Sequence, residues 1–177
     1  VVGHNLFDFL WDDSLGAGLQ MALYDAAGKA LGVPCHRLMG EKFRDACPVS
    51  WWAQDMKPDE WAAEAREAEA QGFTTMKVKA RPWFDPMEQM AAVGAAVSPH
   101  FKMDMDFNFL LLGADIATPL LRRLEQTYSN LAIFESPIPQ TDVAGNALLR
   151  KKIQSPIAMH FGTPPVMTAI REGACDG

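Results

Sequence analysis

The chain has 177 residues, of which 49% are hydrophobic, and a formal net charge of −6. This composition is typical of a globular protein, and the 16 Lys and Arg residues are scattered, which argues against the basic patch that nucleic-acid binding requires. No apolar run approaches the roughly 20 residues of a membrane-spanning helix, so we expect no membrane partner.

The first part of the chain holds one clear helical pattern. The stretch LGAGLQMALYDAAGKALG is helix-like and ends at GVP. It precedes the regular part of the sequence, which starts at about Ala46. We therefore expect residues 1–45 to be the C-terminal part of an N-terminal capping domain with its linker.

From about Ala46 onward, strand-like and helix-like segments alternate. The strand-like segments are ACPVSWWA, FTTMKVKA, FKMDMDF, NLAIFE and PIAMHF, and the final ACDG is predicted to open a sixth strand. The helical segments between them are DEWAAEAREAEAQ, DPMEQMAAVGAAVS, TPLLRRLEQTY, TDVAGNALLRKKI and PPVMTAIREG. In the third helix we predict Thr118 as the N-cap and Pro119 as the first residue. The alternation predicts βα units around a parallel sheet.

Such units either close into an eight-stranded barrel or form an open, doubly wound sheet. We favour the barrel, because charged residues recur on one face near the strand ends, where a barrel builds its active site. A doubly wound sheet would bury both faces. Because a complete barrel takes roughly 250 residues, we interpret residues 46–177 as the N-terminal portion of a TIM-type (β/α) barrel in an incomplete chain, with about the first five to six strands.

Polar residues on four successive strands are predicted to converge, since sequential strands are usually neighbours and side chains two apart share a face. The set consists of Lys77 and Lys79 on the second strand, Asp104, Asp106 and Asn108 on the third, Glu135 at the end of the fourth, and His160 on the inward face of the fifth.

Carboxylates beside a lysine pair predict a divalent-metal site next to an amine base. Asp106 and Glu135 would bind a hard cation through oxygen, and the cation would stabilise a negative intermediate as a Lewis acid. A free lysine is protonated at neutral pH, but a neighbouring ammonium and a nearby cation both disfavour its charged form. We therefore expect Lys77 to keep Lys79 deprotonable, and Lys79 to contact the substrate.

Structural roles for the same residues stay open at this point. Lys77 and Lys79 could extend from an edge strand into water. Asp104 is interpreted as a structural residue that pairs with Lys77. His160 could be a core histidine as readily as a ligand. Cys35, Cys47 and Cys175 are an odd number without CxxC spacing, which predicts buried free thiols.

The motifs MKVKAR, MDMDFN and IFESPI, in this order on successive strands, resemble the K-x-K, D-x-N and E-x-P signatures of the enolase superfamily, in its mandelate racemase and muconate lactonizing enzyme branch. The segment ALYDAAGKALGVPCHRLMG also resembles the stretch that precedes the barrel in that branch. The resemblance implies Mg²⁺-dependent abstraction of a proton alpha to a carboxylate, through an enediolate. It further implies a small carboxylate substrate and a homo-oligomer.

By this resemblance Lys79 is the base, Asp106 and Glu135 are the first two metal ligands, and Asn108 orients the substrate or a ligand. The third ligand of the family is an acidic residue at the end of strand five, where PIAMHFGTPP offers none. His160 is the nearest candidate, and imidazole suits Mn²⁺ better than Mg²⁺. The expected cofactor is therefore Mg²⁺, or Mn²⁺ in view of His160.

The reaction we expect is that of an acid-sugar dehydratase. A racemase or epimerase and a cycloisomerase of the same branch are alternatives, because the catalyst on the opposite face would lie on strands six to eight. A second class is a non-catalytic barrel relative with a degraded metal site. The start, VVGHNLFDFLWDDS, lacks the basic region of a signal peptide, which predicts a cytoplasmic protein.

Overall fold

In the computed structural model, which describes residues 2–177, helix α1 spans Ala17–Leu31 and the short helix α2 spans His36–Met39. Both lie in a unit that ends at Pro48. Helix α1 ends at Gly32, whose φ of 67° lies in the left-handed region that favours glycine. The assignment of residues 1–45 to a capping domain stays a prediction.

The second unit, Val49–Gly177, is described in full and alternates five strands with five helices. Its elements are β1 Trp51–Trp52, α3 Pro58–Ala70, β2 Thr75–Lys79, α4 Pro86–Gly94, β3 Lys102–Asp106, α5 Ala114–Thr127, β4 Leu131–Glu135, α6 Val143–Lys152, β5 Ile157–Ala158 and α7 Val166–Glu172. The strands form one parallel sheet in chain order, β1-β2-β3-β4-β5. The α/β fold of a partial barrel is thereby confirmed.

Strand β2 shows why the sheet has one apolar and one polar face. Met76 and Val78 are fully buried, whereas Lys77 and Lys79 between and after them are partly exposed on the opposite face. The alternation predicted for this strand is confirmed. The apolar face packs on helices whose fully buried residues include Trp61, Met90, Leu121 and Leu149. Each such side chain contributes roughly 1.5–3 kcal/mol of hydrophobic stabilisation.

Two boundaries differ from the predicted ones. Helix α5 begins a full turn before Thr118, with Gly113 as its N-cap, and Pro119 lies inside the helix. The prediction placed the start at Thr118 because proline favours a first helical position, but burial of Ala114 and Ala117 extends the helix toward its amino end. Thr118 donates its hydroxyl to the carbonyl oxygen of Ala114 at 2.6 Å.

The predicted sixth strand is not a regular strand, but its residues do pair with β5. The N–H of Asp176 donates to the carbonyl oxygen of Ile157 at 2.7 Å, and the N–H of Met159 donates to that of Gly177 at 2.9 Å. The three cysteines are free, as predicted, but their predicted burial is wrong, since Cys47 is exposed and Cys35 and Cys175 are half-buried. Within residues 2–177, no helix combines the length and the apolarity needed to cross a membrane.

Candidate metal centre

One register row crosses four strands at their carboxyl ends. Lys79 is the partner of Asp106, Asp106 of Glu135, and Glu135 of Ala158. Side chains of one row on the same face of a sheet are near neighbours, because adjacent strands lie about 4.8 Å apart. The row therefore brings a lysine and two carboxylates to one place.

The two lysines form ion pairs with the two carboxylates of this row. Lys79 Nζ contacts Asp106 Oδ2, and Lys77 Nζ contacts Glu135 Oε2 and lies 3.9 Å from Asp106 Oδ2. The Asp106 side chain is fully buried. A buried carboxylate needs a positive partner to offset its loss of hydration, and the ammonium groups supply it here.

Asp104 does not form an ion pair with Lys77, and this corrects the predicted pairing of these two residues. Although the two are register partners, the ion pairs of Lys77 within residues 2–177 are with Glu135 and Asp106. The Lys77 side chain is long enough to reach the register row of Asp106 and Glu135, two residues nearer the carboxyl ends of the strands. Asp104 Oδ1 is buried without a hydrogen-bond partner in the described chain. Burial, and then the charge of Glu135, raise the pKa of Asp104 to about 6.

His160 lies two residues beyond the end of β5 and reaches the same carboxylates. Its Nε2 lies 2.7 Å from Glu135 Oε1 and 3.5 Å from Asp106 Oδ2, and 39% of its side chain is exposed. The Phe109 ring packs edge-on against the imidazole, with ring centroids 5.5 Å apart and an interplanar angle of 87°. The structure therefore brings His160 to the carboxylate pair, although β5 itself stops at Ala158.

Asn108 lies outside β3 and turns back onto the aspartate that ends the strand. Its φ is 43°, its N–H donates to Asp106 Oδ1 at 2.8 Å, and its Nδ2 donates to Asp106 Oδ2 at 3.2 Å. The predicted common strand face of Asp104, Asp106 and Asn108 is therefore wrong for Asn108. The local Asx turn explains the change, since asparagine tolerates positive φ.

Arg81 is a residue of this site that sequence reasoning missed. Its Nη2 donates to Asn108 Oδ1 at 2.6 Å, which fixes the amide whose nitrogen contacts Asp106. The signal was present as the last letter of MKVKAR, two residues after Lys79. The pattern alone did not distinguish it from a solvated arginine after a strand.

The donor set fits a divalent cation. Asp106, Glu135 and His160 each offer one ligand atom, and these atoms lie within 4.8 Å of one another. Two carboxylate oxygens suit a hard cation such as Mg²⁺, and an imidazole nitrogen extends the range to Mn²⁺, Fe²⁺ or Zn²⁺. The three residues could therefore hold a metal, while Lys77 and Lys79 lie against its carboxylate ligands.

Comparison with known proteins gives the same family as the sequence motifs. The sequence profile of the family described as enolase C-terminal domain-like matches residues 60–177. A solved mandelate racemase/muconate lactonizing family protein from Azoarcus sp. EbN1 is 31% identical with a TM-score of 0.74, and the alignment covers 88% of this chain and 42% of that one.

Two relatives carry named activities. A D-galactonate dehydratase of Xanthomonas campestris pv. campestris (strain B100) is 34% identical over 118 residues, which are 62% of this chain and 31% of the dehydratase. An L-Ala-D/L-Glu epimerase of Bacillus subtilis (strain 168) is 28% identical over 150 residues, which are 81% of this chain and 39% of the epimerase. The matched part of the chain thus spans 31% to 39% of the length of these relatives. The chain belongs to the enolase superfamily, in its mandelate racemase and muconate lactonizing enzyme branch.

Proposed function

We propose that the full protein abstracts a proton alpha to the carboxylate of a small substrate, with Lys79 as the base, and that its reaction is the dehydration of an acid sugar. The observation that carries this proposal is the position of Lys79 in one register row with Asp106 and Glu135. In that row an amine lies beside the two buried carboxylates of a cluster that could hold a metal ion, and this supports the proposal.

Each residue has a role that follows from its contacts. The Lys79 side chain is 21% exposed on the polar face of the sheet, and its amine can accept a proton when it is neutral. Asp106, Glu135 and His160 would hold the cation, which supplies Lewis-acid stabilisation of the negative charge that develops on the substrate carboxylate. Asn108, held by Arg81, fixes the carboxylate of Asp106 and orients the substrate.

The relatives support two reactions that share this first step. The D-galactonate dehydratase favours elimination of water after proton abstraction. The L-Ala-D/L-Glu epimerase covers more of the chain and favours epimerisation as the second candidate. We place dehydration first because the dehydratase has the higher identity. A homo-oligomeric, cytoplasmic protein stays a prediction, as does the alternative of a barrel whose metal site is degraded by the missing third carboxylate.

The test uses the full-length protein with Mg²⁺ or Mn²⁺ in D₂O, incubated with a panel of acid sugars and dipeptides. Loss of water from an acid sugar to give a 2-keto acid supports the proposal. Deuterium uptake with inversion and no dehydration would make the protein an epimerase. The absence of both deuterium exchange and product with every substrate would contradict the proposed chemistry and favour the non-catalytic class.

A further inference from the structure

The side-chain amide of Gln140 makes four hydrogen bonds around His160. Gln140 Oε1 accepts from the N–H of His160 at 2.6 Å and from the hydroxyl of Ser136 at 2.9 Å. Gln140 Nε2 donates to the carbonyl oxygen of His160 at 3.0 Å and to that of Thr163. Gln140 as a whole is 8% exposed, so little water competes for the hydrogen bonds of its amide. One amide orientation satisfies all of them.

The hydrogen bonds of Gln140 begin where the backbone hydrogen bonds between β4 and β5 end. Pairing of β4 with β5 ends at Glu135 and Ala158, and the last backbone hydrogen bond between the two chain segments in the described residues runs from the N–H of Ser136 to the carbonyl oxygen of Ala158 at 2.8 Å. His160 lies two residues further on. Its backbone is joined to the β4 side by Gln140, which bonds both its N–H and its carbonyl oxygen as a paired strand would.

The oxygen of the same amide, which accepts from the N–H of His160, also contacts the residue after Glu135. Ser136 is 1% exposed, has a φ of 45°, and donates its hydroxyl to Gln140 Oε1. Gln140 therefore connects the chain beside one carboxylate ligand to the chain that carries the imidazole. His160 Nε2 lies 2.7 Å from Glu135 Oε1 in this arrangement.

We propose that Gln140 is a positioning residue for the metal centre, which fixes His160 beside Glu135 so that the imidazole nitrogen completes the ligand set. This inference rests on the metal site of the proposed function. Hydrogen bonds that orient metal ligands typically change metal affinity by 10–100-fold when they are removed. Gln140 is not among the three possible ligands, and it acts through the backbone of His160.

The chain offers a matched control. Gln89 on α4 is another buried glutamine, and its Nε2 donates to the carbonyl oxygen of Met56 at 2.7 Å. It has no contact with Asp106, Glu135 or His160 among its hydrogen bonds in the described chain. Substitution of either glutamine by methionine removes a buried amide from the core and keeps a similar volume.

The experiment titrates Mn²⁺ into the metal-free full-length wild type, Gln140→Met and Gln89→Met, with thermal denaturation of each apo protein in parallel. Pulsed electron paramagnetic resonance then reads the coupling of bound Mn²⁺ to an imidazole nitrogen. We expect Gln140→Met to bind Mn²⁺ at least tenfold more weakly and to lose the nitrogen coupling. Gln89→Met should keep the wild-type affinity within about twofold and keep the coupling. If Gln140→Met does not fold, Gln140→Glu is measured with the same expected loss of coupling, because a carboxylate keeps the acceptor for His160 N–H but cannot donate to the carbonyl oxygens of His160 and Thr163.

The outcomes separate this inference from the proposed function. Wild type that binds no Mn²⁺ would refute the metal site, and the inference with it. Wild type that binds Mn²⁺ without nitrogen coupling, or a Gln140 variant with unchanged affinity and coupling, would overturn the inference and leave the carboxylate site standing. Equal loss of affinity in Gln89→Met would show a general effect of core damage and would also overturn it.

Discussion

Lys79 on β2 and Asp106 on β3 are register partners, and Lys79 Nζ contacts Asp106 Oδ2. The contact joins the proposed base to a proposed metal ligand that is fully buried. A lysine that only neutralises Asp106 and a lysine that also moves a proton give different results on substitution. The predictions below use that difference.

Lys79→Met should reduce turnover and solvent deuterium exchange by at least about 100-fold, because loss of a general base typically costs 10²–10⁴-fold. Methionine keeps the apolar length of the side chain, and bound Mn²⁺ can replace the lost positive charge beside Asp106. Product formation and exchange are measured in the presence of Mn²⁺. Lys102→Met is the control, since Lys102 opens β3 at the end opposite Asp106 and donates to the carbonyl oxygen of Ser129 at 2.8 Å. A wild-type rate in Lys79→Met would mean that the lysine is structural.

The metal preference should follow the ligand at position 160. We expect Glu135→Gln to weaken Mn²⁺ binding more than tenfold, because it removes an anionic oxygen from the cluster. His160→Glu should move the preference toward Mg²⁺, since carboxylate oxygen suits Mg²⁺ and imidazole suits Mn²⁺. Calorimetric titration of both ions into each variant gives the ratio of the two dissociation constants. An unchanged ratio in His160→Glu would place the imidazole outside the ligand set.

Lys77→Met should strengthen divalent-cation binding. The Lys77 ammonium contacts Glu135 Oε2 and lies 3.9 Å from Asp106 Oδ2, so it competes with a cation for the same carboxylates. A partly exposed ion pair contributes roughly 1 kcal/mol, which corresponds to about a fivefold gain in Mn²⁺ affinity. The gain should shrink as salt is raised, because screening weakens the competing charge. Weaker Mn²⁺ binding in this variant at low salt would contradict competition by Lys77.

Asp176 should contribute stability at neutral pH that disappears in acid. Its carboxylate accepts from Arg150 Nε at 2.7 Å and from the N–H of Ile157 at 3.0 Å. Its pKa is lowered in the folded protein, chiefly by the hydrogen bond from Arg150. Because the folded pKa lies below the unfolded value of about 3.9, the stabilisation is fully present above that value and is lost as the pH falls through the folded pKa.

Asp176→Asn should therefore lower the melting temperature at pH 7, and the difference from wild type should close below about pH 4. Thermal denaturation between pH 3 and pH 7 measures it. Asp115→Asn is the control, because the Asp115 side chain is 93% exposed and lies 3.6 Å from Lys152, so it should change little at any pH. A melting difference for Asp176→Asn that does not depend on pH would refute the role of its charge.

The sequence by itself determined the fold class and brought the lysines and carboxylates of the candidate site together. The period-two alternation of β2 placed Lys77 and Lys79 on one face, because Met76 and Val78 had to be buried on the other. Strands that alternate with helices form a parallel sheet, so the carboxyl ends of successive strands lie together whatever the details of packing. That is why Asp106 and Glu135 could be brought together from the sequence.

Only the tertiary structure decided which groups contact which. Lys77 pairs with Glu135 rather than with its register partner Asp104, because a long side chain can reach either row and the choice depends on the whole cluster of charges. The position of His160 depends on Gln140, 20 residues earlier in the chain. Side-chain torsions and contacts over such separations leave no period in the sequence, since they are set by the space and the unpaired donors that remain after the sheet has formed.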